Sequence, residues 1–400
     1  MPIDLQPVTP AGATLVGIAE RIARERTDLA ARHDRDGSYP HRGVAALRSA
    51  GYLSAPVPES LGGLGAESVH DVVVAASRLA RGDAALAIGA SMHLCAVLNM
   101  VRRWRVADAA GNETRAEAFA ASLAAVTDMV LAAAISEPGQ DLSRPATTAV
   151  RTADGWRIDG SKVFCTMAPA ATHFYTAVRF TARDGERYGY ALIPAGAPGV
   201  RVHDDWDALG MRASGSHSVS FAAVQLPAAA LRGGFPAGDV HGYVARNLPS
   251  GLLHAAASLG IAEAAWTEAA GAVRRAPAGR TQALAAEGAV ELSAARATLS
   301  RAARLVDEHH AAHPADDGTP AALLALFAEG QAAKAFVCDA AARIVDRALA
   351  CSGGGGNRAA SPLSRAYRDV RAGAFMHPLG ANRGFDFVGR VALGLDPELR

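Results

Sequence analysis

The 400 residues carry 40 lysines and arginines against 39 acids, a formal charge of +1, with 50% hydrophobic, 6% aromatic and 20% charged positions. Such a chain is too apolar to be disordered and too neutral to bind nucleic acid or a membrane surface electrostatically. Its length suits two or three domains with a sizeable core, and a glycine- and alanine-rich, aromatic-poor composition suits closely packed helices.

The first ten residues, MPIDLQPVTP, lack a basic n-region and an apolar h-region, so no signal peptide is read and a cytoplasmic location is expected. From residue 15 to about 133 the apolar spacing is helical. Leu15, Ile18, Ala19 and Ile22 share a face, with Glu20, Arg21, Arg24 and Glu25 opposite. Residues 69–79 and 116–126 repeat this pattern, and the Pro/Gly-rich stretch 56–65 must turn tightly. The uncharged run 84–101 has the length of a membrane span, but Gly89, Ser91, His93 and Asn99 interrupt it, so it reads as a buried helix.

Near Ser136 the texture changes. Short β-branched and aromatic runs follow, and the Asp154-Gly155 and Asp184-Gly185 turns predict two hairpins. Residues up to 226 therefore form an antiparallel barrel or sandwich. After Pro236 long helices return, marked by Leu252, Ala256, Leu259 and Trp266, then Leu292, Leu299 and Val306, then Leu323, Phe327 and Ile344. With a last segment at 361–373 they predict a four-helix bundle. The chain is thus an α+β protein of three domains: 1–133 helical, 134–235 β, and 236–400 a bundle.

Motifs exclude several chemistries. No GxxxxGK[ST], no GxGxxG after a strand, no HExxH and no GxSxG occurs. Cys95, Cys165, Cys338 and Cys351 are scattered without a CxxC pair, which argues against a disulfide frame or structural zinc. His309 and His313 have metal-compatible spacing but no evident third ligand, so no metal site is expected. The run Gly353, Gly354, Gly355 and Gly356 either lets backbone approach a ligand or is simply a flexible turn.

Taken in order, further segments resemble the acyl-CoA dehydrogenase family of flavoproteins over nearly the whole chain. Pro58-Glu59 with Gly62-Gly63 resembles its PE…GG loop, and Ser136-Glu137-Pro138-Gly139 its (T/S)EPG junction. Residues 159–166 resemble NGxKxWIT, and Leu209-Gly210-Met211-Arg212-Ala213-Ser214 resembles MGxRxS. Arg275 to Gly279 is similar to RxxFG, and the glycine run is similar to the GGxG before Arg368-Asp369. The resemblance implies a flavin between the β-domain and the bundle of a homotetramer, with FAD favoured and FMN or a flavin reduced by a partner reductase as options. By carry-over, Ser136 reaches the isoalloxazine ring and Thr166 hydrogen-bonds near N5. Arg275 from a neighbouring subunit holds the pyrophosphate, and Gly353 to Gly356 meet the nucleotide.

Two departures matter. The family's catalytic glutamate, about eight residues after the RD aspartate, falls here on His377. The alternative base position, around residues 246–252, contains no acid. The GAGSD stretch that lines the thioester pocket is replaced by Gly139-Gln-Asp-Leu-Ser143. His377 is a base, or orients or protonates a flavin peroxide, or is a structural histidine in a proline turn. His93 is a second candidate catalytic residue, with a core histidine as its plainer reading. Members without the glutamate include two-component flavin monooxygenases, which use a C4a-hydroperoxide on a small organic substrate. A monooxygenase or oxidase is therefore the expected activity. The alternatives are an acyl-CoA or acyl-carrier dehydrogenase with an unusual base, and a flavin-binding protein without turnover.

Overall fold

The computed structural model describes residues 4–139, 141–275 and 277–399. Residues 1–3 of the N-terminal segment, Gln140 of the 139–143 stretch and Ala276 of the 275–279 segment lie outside the described residues. Among the described residues five α-helices come first: α1 (Pro10–Asp36), α2 (His41–Ser49), α3 (Val69–Ala80), α4 (Ala84–Ala109) and α5 (Glu113–Val126). Thr9, Ser68 and Asp83 start α1, α3 and α4 by accepting a first-turn backbone N–H on their side-chain oxygens. Gly37 ends α1 in the left-handed region at φ 64. Every residue of α3 and most of α4 are buried, as the uncharged run implies.

Eight strands follow: β1 (Leu131–Ala134), β2 (Thr148–Arg151), β3 (Gly155–Cys165), β4 (His173–Ala182), β5 (Gly185–Pro194), β6 (Val200–Val202), β7 (His217–Pro227) and β8 (Leu231–Pro236). The two Asp-Gly turns join β2 to β3 and β4 to β5 as expected. The sheet runs β6-β7-β3-β2-β4-β5-β8, with β1 beside β4. It is not antiparallel throughout, because β1 and β2 both pair with β4 in parallel. The sheet also begins at Leu131, so the last residues assigned to the helical domain belong to its first strand.

The C-terminal region holds α6 (Val240–Val244), α7 (Ser250–Arg275), α8 (Gly279–Ala312), α9 (Pro320–Ser352), α10 (Pro362–Val370) and α11 (Ala381–Ala392). Three helices are long. The expected fourth position of the bundle is shared by the short α10 and α11 packed on α9, and α3 of the first domain packs on α7 and α8. That contact is sealed by Glu263 on α7, which accepts from Arg81 and Arg296 Nε, each at 2.7 Å. Both glutamate oxygens are thereby compensated, as a buried charge requires. His309 and His313 turn to the loop after α8, where they meet the Asp317 carbonyl and the Asp316 carboxylate.

Candidate active site

The three domains meet around a cavity of about 330 Å³. One face of α4 lines it through Ile88, Met92, Cys95, Ala96 and Asn99, the i, i+4, i+7, i+8, i+11 stripe of a helix. The sheet side contributes Ser136, Phe164, Thr166, Trp206 and the stacked pair Tyr175 and Tyr190, whose rings lie 4.6 Å apart. Arg246, Asn247, Ser250 and His254 enter from the start of α7, and Arg371, Phe375 and His377 from the segment after α10. Among the lining residues there is no aspartate or glutamate.

Pairs of sequence motifs build this wall. Lys162, fully buried, donates to Glu137 at 2.7 Å, and Val163 N donates to the Ser136 carbonyl at 2.9 Å. Burial alone would raise the Glu137 carboxyl, but the Lys162 charge and its hydrogen bonds hold it below the usual range. The junction is thus pinned to β3, and Ser136 and Thr166 both line the cavity. Farther along, Asp369 accepts the Met211 N–H at 2.6 Å, while Arg368 forks onto Asp34 at 2.8 and 2.6 Å. At Gly210 a Cβ would stand 2.1 Å from the Arg368 carbonyl, so only glycine permits this closeness. Phe164, Met167 and Met211 all hold positive φ, at 57°, 73° and 54°. Such strain collects where a site over-determines its backbone.

The histidines are held neutral. His254 Nδ1 donates to the Ser250 carbonyl at 2.7 Å, which fixes the tautomer and leaves Nε2 as a lone-pair acceptor. Burial, then the Lys334 charge, push its pKa down to about 3. His377 lies 3.3 Å from the Tyr243 hydroxyl through Nε2, and its Nδ1 is buried without a protein partner. Burial, then the neighbouring His254, Lys334 and Arg383, bring it also to about 3. Lys334 holds the loop bearing His377, donating to the carbonyls of Met376, His377 and Leu379.

His93 stands elsewhere. Its Nε2 donates to the Leu53 carbonyl at 3.0 Å and its Nδ1 accepts from Leu131 N at 2.9 Å, so both ring nitrogens are spent on tying β1 to the loop after α2. The expectation of a catalytic His93 is corrected on this ground: it is off the cavity-facing stripe of α4 and has no free nitrogen. Burial lowers its pKa to about 4. Histidines depressed in the fold bind protons more readily when unfolded, so stability falls as pH drops below about 6.5 toward 4. The fully enclosed His93 and His254 each cost about 1.4 kcal/mol per pH unit in that window. Asp369, raised to about 6 chiefly by burial, opposes this below pH 6, as do Asp83 and Asp307, whose carboxyls burial also raises, three groups against seven lowered histidines. Denaturation midpoints measured at pH 7.5, 6.5 and 5.5 should therefore fall, and an unchanged midpoint at pH 5.5 would contradict the assignment.

Of the remaining candidates, Ser136, Thr166 and His377 come together at the cavity. Arg275, exposed at the end of α7, and Gly353 to Gly356, in a short turn after α9 whose first three glycines are exposed and whose last is buried, do not line it within one protomer. Four lining residues were not singled out from the sequence: His254, Arg246, Tyr175 and Tyr190. His254 sits in an apolar helical stretch that reads as core, and the tyrosines sit in strands that read as hairpins.

The sheet-side wall fits a flat heteroaromatic ring. Phe164 is 65% exposed toward open space, with Trp206 edge-on at 6.3 Å, and the hydroxyls of Thr166, Ser216 and Ser214 form a chain at 2.9 and 2.7 Å. Thr166 and Ser136 are the donors that would hold a flavin there. Thr166→Ala should weaken flavin binding about 5- to 30-fold, the worth of one hydrogen bond to a charged or polarised ring edge. Fluorescence titration reads this directly, and an unaltered affinity and spectrum would remove the contact.

Comparison with known proteins agrees with this geometry. Residues 14–138 match the acyl-CoA dehydrogenase N-terminal domain, residues 132–224 the middle domain and residues 252–378 the C-terminal domain. The amino sugar nitrososynthase DnmZ of Streptomyces peucetius is 33% identical over 399 residues, spanning 97% of this chain and 95% of that protein. The L-evernosamine nitrososynthase of a Micromonospora species is 34% identical over 404 residues, with 98% and 93% covered. The X-ray structure of KijD3 with FMN and dTDP-3-amino-2,3,6-trideoxy-4-keto-3-methyl-D-glucose superposes at a TM-score of 0.88, with 33% identity and 98% and 96% of the two chains covered.

Proposed function

The chain belongs to the acyl-CoA dehydrogenase family and is a flavin-dependent oxidoreductase of the monooxygenase type, and from that premise we propose that it N-oxygenates a nucleotide-linked amino sugar. The observation that carries this reading is a cavity to which the described residues bring no carboxylate. A dehydrogenase must remove an α-proton, and both places where the family keeps its glutamate are here filled by neutral side chains or a cation. An amine must instead present a free lone pair. Arg246, Arg368 and Arg371 around a site without acids favour the neutral amine over the ammonium.

A bound reduced flavin would supply the two electrons that let O₂ deliver one oxygen atom to the amine nitrogen and the other to water. We take FMN as that flavin, in place of the favoured FAD, because the KijD3 structure carries FMN. The absence of a dinucleotide-binding fingerprint supports supply by a separate reductase, in the cytoplasm. Phe336 on α9 and Phe385 on α11, 41% and 60% exposed, give a face for subunit contact and support a homotetramer.

The neutral histidines, the Ser250 hydroxyl and Asn247 would orient the amine and exclude bulk water, while Tyr175 and Tyr190 offer a flat wall. Incubation with reduced FMN, O₂ and a dTDP-amino sugar should give a product heavier by oxygen. Anaerobic bleaching of bound oxidised flavin by an acyl-CoA, with no oxygenated sugar formed, would overturn the proposal.

A further inference from the structure

Arg246 is a half-buried cation without a counter-ion. Its Nη1 donates to the Gly242 carbonyl at 2.9 Å and its guanidinium carbon sits 4.6 Å over the Phe235 ring. Among the described residues no carboxylate approaches within 4 Å of it. The nearest acid influence, Asp317, is already taken by Arg103, which grips both of its oxygens. Arg103 and Arg115 add positive potential from the same side. A desolvated guanidinium left unpaired is costly, whereas its planar fork matches the oxygens of a phosphate two at a time.

Its position is equally informative. Arg246 and Asn99 line the active-site cavity, and both also line two neighbouring cavities of about 40 and 570 Å³. Asn99 Nδ2 donates to the Arg246 carbonyl at 2.8 Å, which fixes the arginine backbone to α4. A ligand too long for the first cavity must pass this arginine to reach the next.

We propose that Arg246 binds a phosphate-type anion of the substrate, so that the group to be oxidised lies on the His254 side and the remainder of the molecule on the other. The identification of that anion as the diphosphate of a nucleotide sugar rests on the function proposed above; the anion site itself does not. Free inorganic pyrophosphate and a nucleoside diphosphate share the chemistry, so calorimetric titrations with pyrophosphate, dTDP and thymidine separate the sources. Each is run on the wild-type protein and on Arg246→Met and Arg246→Lys, with circular dichroism and FMN affinity as folding checks.

The expected result is a loss of about 10- to 100-fold in dTDP and pyrophosphate affinity for Arg246→Met. Arg246→Lys should be intermediate, because it keeps the charge but not the fork, and thymidine binding and FMN affinity should be unchanged. If wild type binds dTDP and Arg246→Met binds it equally well, the anion site is wrong while the nucleotide-sugar reading stands. If wild type binds pyrophosphate through Arg246 but gains nothing from the nucleoside, the anion site stands and the nucleotide-sugar reading falls. Failure of wild type to bind either phosphate overturns the inference.

Discussion

His377→Ala is expected to lower turnover by about 100-fold, in the usual range for a group that positions or moves a proton, while leaving flavin affinity and thermal midpoint close to wild type. The sequence places a histidine where the family keeps its glutamate, and three roles were open to it. Geometry narrows them. With Nδ1 buried and unpartnered, Nε2 facing the Tyr243 hydroxyl, and burial holding the ring neutral at about 3, His377 enters any reaction at neutral pH as imidazole, never as imidazolium. A ring so weakened is not a strong proton sink, and as neutral imidazole it offers one nitrogen as a hydrogen-bond donor and the other as an acceptor.

Two further outcomes follow from that state. The pH profile of kcat between 6 and 8 should show no ionisation that disappears in His377→Ala. Tyr243→Phe, which removes the hydroxyl facing Nε2, should reproduce part of the loss. A fall in kcat with KM for the proposed amino-sugar substrate held, and more O₂ consumed per product formed, marks a role in the reaction. Unchanged steady-state rates would take His377 out of the mechanism.

Legibility differed by the distance over which each signal acts. The Asp-Gly hairpins and the Thr9, Ser68 and Asp83 caps are local, so residue order alone locates them. The motif series Ser136 to Gly139, residues 159–166, residues 209–214 and Arg368-Asp369 was legible as a series, but not as contacts. Only the fold shows Lys162 on Glu137 and Asp369 on Met211 N, the latter across 158 residues. What failed to show was direction. α4 is apolar on nearly all sides, so nothing in its pattern says that Asn99 faces the cavity and His93 faces away. The same blindness hid His254 among alanines. Arg246 was noted only as the lack of an acid, because the absence of a counter-ion is a property of space rather than of sequence. The bundle, expected from three long helices and a last segment at 361–373, has its fourth position shared by α10 and α11, because α10 ends after nine residues and the chain turns through the His377 loop.

Small residues at helix seams were the first expectation drawn from composition, and Gly260 puts a magnitude on them. It lies on α7 where α3 crosses, and an added Cβ would stand 2.2 Å from the Ser77 carbonyl oxygen and 2.7 Å from Ala80 Cβ. Neither is the movable end of a flexible side chain. Alanine has the better helix propensity by about 1 kcal/mol, so any net loss must come from forcing α7 and α3 apart. Overpacking against backbone costs about 1–3 kcal/mol and occasionally more, and Gly260→Ala should sit at the upper end, near 3 kcal/mol by denaturant titration, because α3 is buried along its whole length and cannot yield toward solvent. Gly271→Ala on the same helix is the control: its nearest neighbour is the movable end of Arg275 at 3.6 Å, and propensity alone should make it neutral or slightly stabilising. The same helix carries Ser250 and His254, so the shift that relieves the Gly260 clash also moves the imidazole that lines the cavity. Gly260→Ala should therefore lower kcat as well as the denaturation midpoint, whereas Gly271→Ala should change neither for the worse. Equal stability of the two variants would show that α3 and α7 are not held as closely as the structure places them.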